Sequence, residues 1–303
     1  RGNDVYRARY TGQSAALFGV ALLEDGAGDD VYQAQALAQS AAYVGLAVLL
    51  DGEGNDIYEA GFNAQAFAGV RGAALLVDRK GNDRYLAGGL LPDSERHDDR
   101  FLSMSQGFAI GMRPFAAGGV AALVDLEGND VYRADVYGQG ASYWYSLGML
   151  MDRQGNDSYE VYHYGQGSGI HISLGLLYDG SGDDMYTGYI LTQGNAHDYG
   201  VGMLVERMGN DTYTADHYSQ GCGVYNALGL LVDSAGDDAY FVRQPDRSQG
   251  RGHDGAQREY GSLGLLLDLS GKDCYSCDAQ DGSRLERPDY GIVYDVPQVM
   301  KPQ

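Results

Sequence analysis

The chain has 303 residues and a formal net charge of −21, from 42 acidic against 21 basic side chains. That excess excludes nucleic-acid binding, which needs a basic surface to neutralise phosphates, and it suits solubility or the capture of cations. No run approaches the roughly 18 consecutive apolar residues of a membrane-spanning helix, so no span is expected.

The chain opens inside a repeat, at Arg1-Gly2-Asn3-Asp4, which reads as a processed or truncated product lacking its preceding coil or cap. The unit is Gly-x-Asp-x-Tyr, with its Asp at 4, 30, 56, 83, 130, 157, 184, 211, 238 and 273. Steps of 26 or 27 residues are broken by one of 47 and one of 35. Ahead of each anchor from Asp30 onward runs an apolar segment ending Leu-x-acid, and the acid stands five residues before the anchor. Ala or Gly lies four residues before that acid, from Ala21 to Gly264. Behind the anchor a short segment leads to Gln, nine residues on in the regular units (Gln13, Gln39, Gln65, Gln139, Gln166, Gln193, Gln220) and later at Gln106 and Gln249.

Glycine in every segment argues against helices, and alternating apolar positions argue for strands. A propeller blade needs about 40 residues, and no leucine-rich signature is present. The spacing therefore predicts an all-β protein: a single-stranded parallel β-helix, or β-solenoid, of about ten coils with 26–27 residues each. At about 4.8 Å per coil the rod is about 48 Å long. The solenoid is placed at 1–290 and a C-terminal cap or tail at 291–303, with a loop insertion at about 86–105 and smaller ones at about 112–118 and 250–260.

A residue type held in every coil becomes a ladder. Leu and Tyr read as core columns and Gln as an amide ladder along the rod axis. The acid columns are different, because the position between them varies freely (Asn3, Asp29, Asn55, even Lys272) while the anchors never become Asn. Stacked like charges about 5 Å apart repel by roughly 1 kcal/mol in water and 3 kcal/mol at an effective dielectric of 20, and no column is uniformly basic. Either the carboxylates accept several turn N–H groups and stay ionised without metal, or a divalent cation bridges the coils through carboxylate and Gly carbonyl oxygens, a donor set that suits Ca²⁺. The expected ligands are the pairs Asp25 and Asp30, Asp51 and Asp56, Asp78 and Asp83, Asp125 and Asp130, Asp152 and Asp157, Asp179 and Asp184, Glu206 and Asp211, Asp233 and Asp238, and Asp268 and Asp273.

The turns DGEGNDIYEA (51–60) and DGSGDDMYTG (179–188) resemble the haemolysin-type (RTX) calcium-binding nonapeptide, with Asp in place of its first Gly. The resemblance implies Ca²⁺ held between coils of a parallel β-roll in a secreted protein. It covers nine residues of each coil, and the motif comes once per 26 or 27 residues where that family repeats it every nine.

Departures from the repeat point to possible sites. The first insertion carries His97, and the last carries His253, Asp254, Arg258 and Glu259. Fourteen residues after successive anchors stand Trp144, His171, Asp198 and Tyr225, and six after two anchors stand His163 and His217. These are the candidate ligand-binding residues, as an outward row of rings would suit sugar rings. No nucleophile motif, phosphate loop or HExxH is present, so no catalytic residue is assigned. Three cysteines (222, 274, 277) fit neither a four-thiolate zinc site nor a c-type haem motif, leaving free thiols or one local disulfide.

Before the first acid both strand faces are apolar, as in Val48-Leu49-Leu50 and Leu230-Leu231-Val232. One face fills the core; the other makes an apolar stripe expected to meet the terminal segment, another domain or a second copy. The leading expectation is a non-catalytic secreted or cell-surface scaffold or adhesion module stabilised by Ca²⁺. The alternatives are a polysaccharide-binding or polysaccharide-degrading β-helix and a self-assembling structural protein.

Overall fold

The computed structural model describes residues 1–253, 261–276, 278–287 and 290–297. It is a three-sided parallel β-solenoid in which each coil contributes one strand to each of three sheets. The coil of Asp157 is typical: Ser158–His163 lies in sheet 1, Gly169–Ile170 in sheet 2 and Leu174–Tyr178 in sheet 3. Equivalent residues of successive coils are in register, Tyr132 beside Tyr159 beside Tyr186 and Leu150 beside Leu177 beside Leu204. The periodicity of the sequence thus becomes the hydrogen-bonded pitch of the rod. Among the described residues no helix is long and apolar enough to cross a membrane.

The core is built from the two columns that keep large side chains. Tyrosines from sheet 1 stack ring on ring from Tyr6 to Tyr275, with centroids 4.7–4.9 Å apart and planes within 9°. The Leu column of sheet 3 packs against them to form one continuous cluster. Sheet 2 is the short side, and its strands lie close to sheet 3. A Cβ at Gly175 would overlap the carbonyl oxygen of Ser168, so this coil takes Gly there, whereas in the first coils the same column is Ala (Ala47, Ala74, Ala121) and its methyls pack in a small cluster of alanines.

The three corners use different chemistry. At the corner between sheets 1 and 2 the Gln residues adopt left-handed backbone, as at Gln166 (φ 52). Their side chains compensate by bridging main-chain carbonyls: Gln166 Nε2 donates to Tyr159 O (3.1 Å) and to Thr187 O of the next coil (3.2 Å). The Gln column therefore ties coil to coil through the backbone and not through amide–amide contacts. The corner between sheets 2 and 3 is also left-handed, with His171 at φ 54 and Ile172 at φ 61. The corner between sheets 3 and 1 is the acidic turn. There Gly comes into backbone contact with Gly of the preceding coil, and a Cβ at Gly155 would overlap the carbonyl oxygen of Gly128.

The insertion after Tyr85 forms a hairpin of Leu91–Asp93 and His97–Leu102, which joins sheet 1 through Leu102 beside Val136. At the C-terminal end Gly291–Asp295 extends sheet 3 in register with Gly264–Asp268, and Arg284–Arg287 turns back antiparallel along its edge.

Candidate functional site

The two acid columns meet at the sheet 3–sheet 1 corner, where both are buried. From Asp30 to Asp238 no anchor side chain has appreciable exposure, and the first acids from Asp51 to Asp268 are likewise enclosed. The first acids are held by two kinds of donor, except Asp125, which keeps only the tyrosine one. Tyr159 Oη donates to Asp179 Oδ2 (2.5 Å), while the Ser181 amide donates to Asp179 Oδ1 (3.2 Å). The same tyrosine bond recurs in every coil, from Tyr6 to Asp25 (2.6 Å) through Tyr186 to Glu206 (3.0 Å). It continues from Tyr275 to Asp295 (2.9 Å), a tenth first acid that the sequence spells as Gly291-Ile-Val-Tyr-Asp295, with Val293 in the place of Leu.

The anchors form their own ladder. The amide of Asp130 donates to Asp157 Oδ1 (2.6 Å), that of Asp157 to Asp184 Oδ1 (2.6 Å), and so along the rod to Asp273. Beyond the last coil Asp281 Oδ1 takes the place of an eleventh anchor and accepts from the amide of Asp273 (3.2 Å). The second oxygen, Oδ2, has no hydrogen-bond partner in any anchor from Asp30 to Asp273.

The residue preceding each anchor provides an internal control. Its side-chain Oδ1 also accepts an amide from a neighbouring coil, as from Asn156 to Asn129 (2.9 Å) and from Asp183 to Asn156 (2.8 Å). That outer ladder is exposed and interchanges Asn with Asp freely. The inner ladder does the same backbone work, is buried from Asp30 onward, and is Asp in all ten coils.

One anchor, the first acid that follows it and the next anchor bring their oxygens within 4.8 Å of one another: Asp30, Asp51 and Asp56; Asp56, Asp78 and Asp83; Asp83, Asp125 and Asp130; and onward. Among the described residues no Lys or Arg side chain pairs with either column; only the terminal amine of Arg1 reaches Asp25 (3.6 Å). Burial, reinforced by the neighbouring acids, pushes the anchor carboxyls far up: Asp56 to about 8, Asp83 to about 9, Asp157 to about 10 and Asp238 to about 9. Among the first acids Asp78 rises for the same reason to about 7 and Glu206 to about 11. Without a counter-ion the ladder therefore holds protons at neutral pH.

A cation fits this donor set. Oxygens within 4.8 Å of one another can share an ion at the roughly 2.4 Å reach of Ca²⁺, and each coil brings two carboxylates, the charge of one divalent ion. The unpartnered anchor Oδ2 atoms are the donors left over once the backbone and tyrosine bonds are made.

The histidines gather elsewhere. Trp144, His171, Asp198 and Tyr225 succeed one another along the sheet 2–sheet 3 corner, the three rings half-buried and Asp198 buried. His171 Nδ1 and His197 Nδ1 each lie 3.0 Å from Asp198 Oδ2, and these three donors also lie within reach of a shared ion. Arg113, from the second insertion, sits over the Trp144 ring (5.4 Å) and near His171 Nε2 (3.4 Å). His163 faces the insertion hairpin, with Nδ1 2.8 Å from His97 Nε2, and burial lowers its pKa so that it stays neutral. His217 Nδ1 lies 2.5 Å from the buried Asp216, which also pairs with Arg243. Arg96 and Arg100 of the hairpin cap Tyr137 (5.4 Å) and Tyr162 (4.1 Å). The first two insertions thus fold onto adjacent coils. Of the third, Asp254, Arg258 and Glu259 lie outside the described residues, as does Cys277. Cys222 and Cys274 are free thiols. Beside the hairpin, an open groove of about 940 Å³ on sheet 1 is lined by Arg7, Arg9, Arg84, Arg100 and Arg133 with Glu59 and Glu160.

His197, Asp216 and Asp295 carry no signal as isolated residues. His197 and Asp216 stand in coil positions that keep no residue type, with Ile170 and Val224 beside His197, so only the fold shows which side chains they meet.

The fold and this site define the class: a parallel β-solenoid with a corner of stacked, buried acid clusters able to hold ions. Comparisons with family profiles, with curated proteins and with solved structures each return no match to the chain. The likeness to the haemolysin-type nonapeptide accordingly stays at the level of the turn.

Proposed function

We propose that the chain is a non-catalytic solenoid scaffold or adhesion module, secreted or displayed on a cell surface, whose acidic corner is held together by calcium. The observation that carries the reading is the contrast between the two ladders: the exposed one accepts Asn, and the buried one requires a carboxylate whose second oxygen the protein leaves unpartnered. Hydrogen bonding alone gives no reason for that requirement, because Asn Oδ1 accepts an amide equally well. An ion that bridges coils ties the rod together along its length and replaces repulsion by attraction. Extracellular calcium is abundant enough to fill weak oxygen sites, which supports the proposed location.

The test is thermal unfolding of the chain at neutral pH, after exhaustive chelation and after addition of excess Ca²⁺. Binding to the folded state alone raises stability by mass action, so the calcium-loaded chain is expected to melt higher, with a titration approaching one ion per coil. Identical melting temperatures with and without calcium would remove the metal from the ladder and leave protons to neutralise it.

A further inference from the structure

We infer that the outward face of sheet 3 is the surface through which two copies of this chain associate. Inward-facing Leu and Gly or Ala alternate there with three outward columns, running from Val20 to Leu263, from Leu22 to Ile292 and from Glu24 to Tyr294. Glu24, at the first strand, is the only charged residue in them. Val20 and Leu22 are 77% and 64% exposed at that open end. Further along, the same columns are half-buried or exposed, with Leu46, Val120 and Leu263 at 40–45%. Sheet 1 mixes Val5, Val131 and Met185 with Arg7, Gln33, Glu160 and Thr187 at its outward positions, so the face that is apolar in all its columns is that of sheet 3.

Size and pitch choose the occupant. Ten strands at about 4.8 Å and three outward residues per strand span roughly 43 by 15–20 Å. That is near the ~800 Å² each partner buries in a standard interface and above the ~300–600 Å² patch usual on a monomer. The C-terminal strands do not cover it, since Arg284–Arg287 and Gly291–Asp295 extend the edge of the sheet and do not fold over its face. A second copy presents the same ladder repeat, so rows of Leu and Met interdigitate along the whole length at the ~10 Å separation of packed sheets. Such a face is self-complementary and closes as a twofold pair. Charge gives the interface a signature. The contact is apolar apart from Glu24 at the open end, so salt should not dissociate it; an oppositely charged partner would be released by salt instead.

Sedimentation velocity of the chain from about 1 to 100 µM, at low and at high salt, reads this directly. Twice the chain mass is expected, with a dimer fraction that salt does not lower. Met149→Glu combined with Met203→Glu, in the middle column, should give a monomer with unchanged far-ultraviolet circular dichroism. Thr187→Glu with Thr214→Glu, on the exposed face of sheet 1, should leave the dimer intact. Should the methionine variant fail to fold, the mass of the wild-type chain still decides. A monomer over the whole range at both salts, an open-ended polymer, or a dimer broken by the sheet 1 pair and not by the methionine pair would each overturn the inference. None of these outcomes depends on calcium at the acidic corner.

Discussion

A single atom separates the two readings of the acidic turn. At Asp157 one oxygen accepts the amide of Asp130 and the other meets only carboxyls of its own and the adjoining coils. Asp157→Asn keeps the acceptor and converts the other oxygen into an amide donor, which holds no cation. The variant is therefore expected to lose part of the calcium-induced rise in melting temperature, while in chelator it melts no lower than the parent because one buried acid is gone. Calorimetry of both chains in both conditions checks this; an undiminished calcium response would exclude Asp157 as a ligand. The restriction to Asp at this position was visible in the repeats. That its second oxygen lacks a partner was not, since only the packed corner shows which donors are already spent.

At the level of the strand, the Tyr column joins core and acids in one element. Its rings supply the stacked interior and its hydroxyls hold the first acids in place, so Tyr159→Phe separates packing from polarity. The ring stays, and with calcium present, where Asp179 is ionised, that carboxylate loses a charge-assisted donor in a buried setting, worth about 1.5–3 kcal/mol. Urea unfolding of the variant should show a loss of that order with an unchanged m-value; a neutral result would mean that another donor, or a cation, already satisfies Asp179. The strands, their register and the Leu and Tyr columns were legible because a 27-residue period reports them ten times over. The insertion hairpin was not. It occurs once, has no column to compare with, and its contacts with His163, Tyr137 and Tyr162 come from coils 41 to 66 residues away.

For the whole molecule, pH should act in opposite directions with and without metal. In chelator the anchors keep protons in the folded state at pH values where the unfolded chain has lost them. Their contribution is thus fully present below about pH 4 and is lost as pH rises through the folded values of about 8 to 10. The metal-free rod is expected to melt progressively lower from pH 5 to pH 9. Salt should not abolish the trend, because buried charges are little screened. With saturating calcium the carboxylates are ionised and bound, so stability should hold at neutral pH and fall on acidification as protons displace the ion. Melting curves across that range in both conditions test the sign. A metal-free chain that gains stability on going from pH 5 to pH 9 would contradict the buried, uncompensated ladder.

The sequence by itself determined the solenoid, its coil count, the core columns and the apolar face, because each is a local pattern repeated until chance is excluded. Tertiary structure decided what no period encodes. It shows that the acidic turns close on one another into three-carboxylate clusters. It also brings His171 and His197 onto Asp198 across coils, and puts Asp281 where the next anchor would stand. The reason is physical: a repeat specifies which side chains are stacked, whereas burial and the sharing of donors depend on how the corners close.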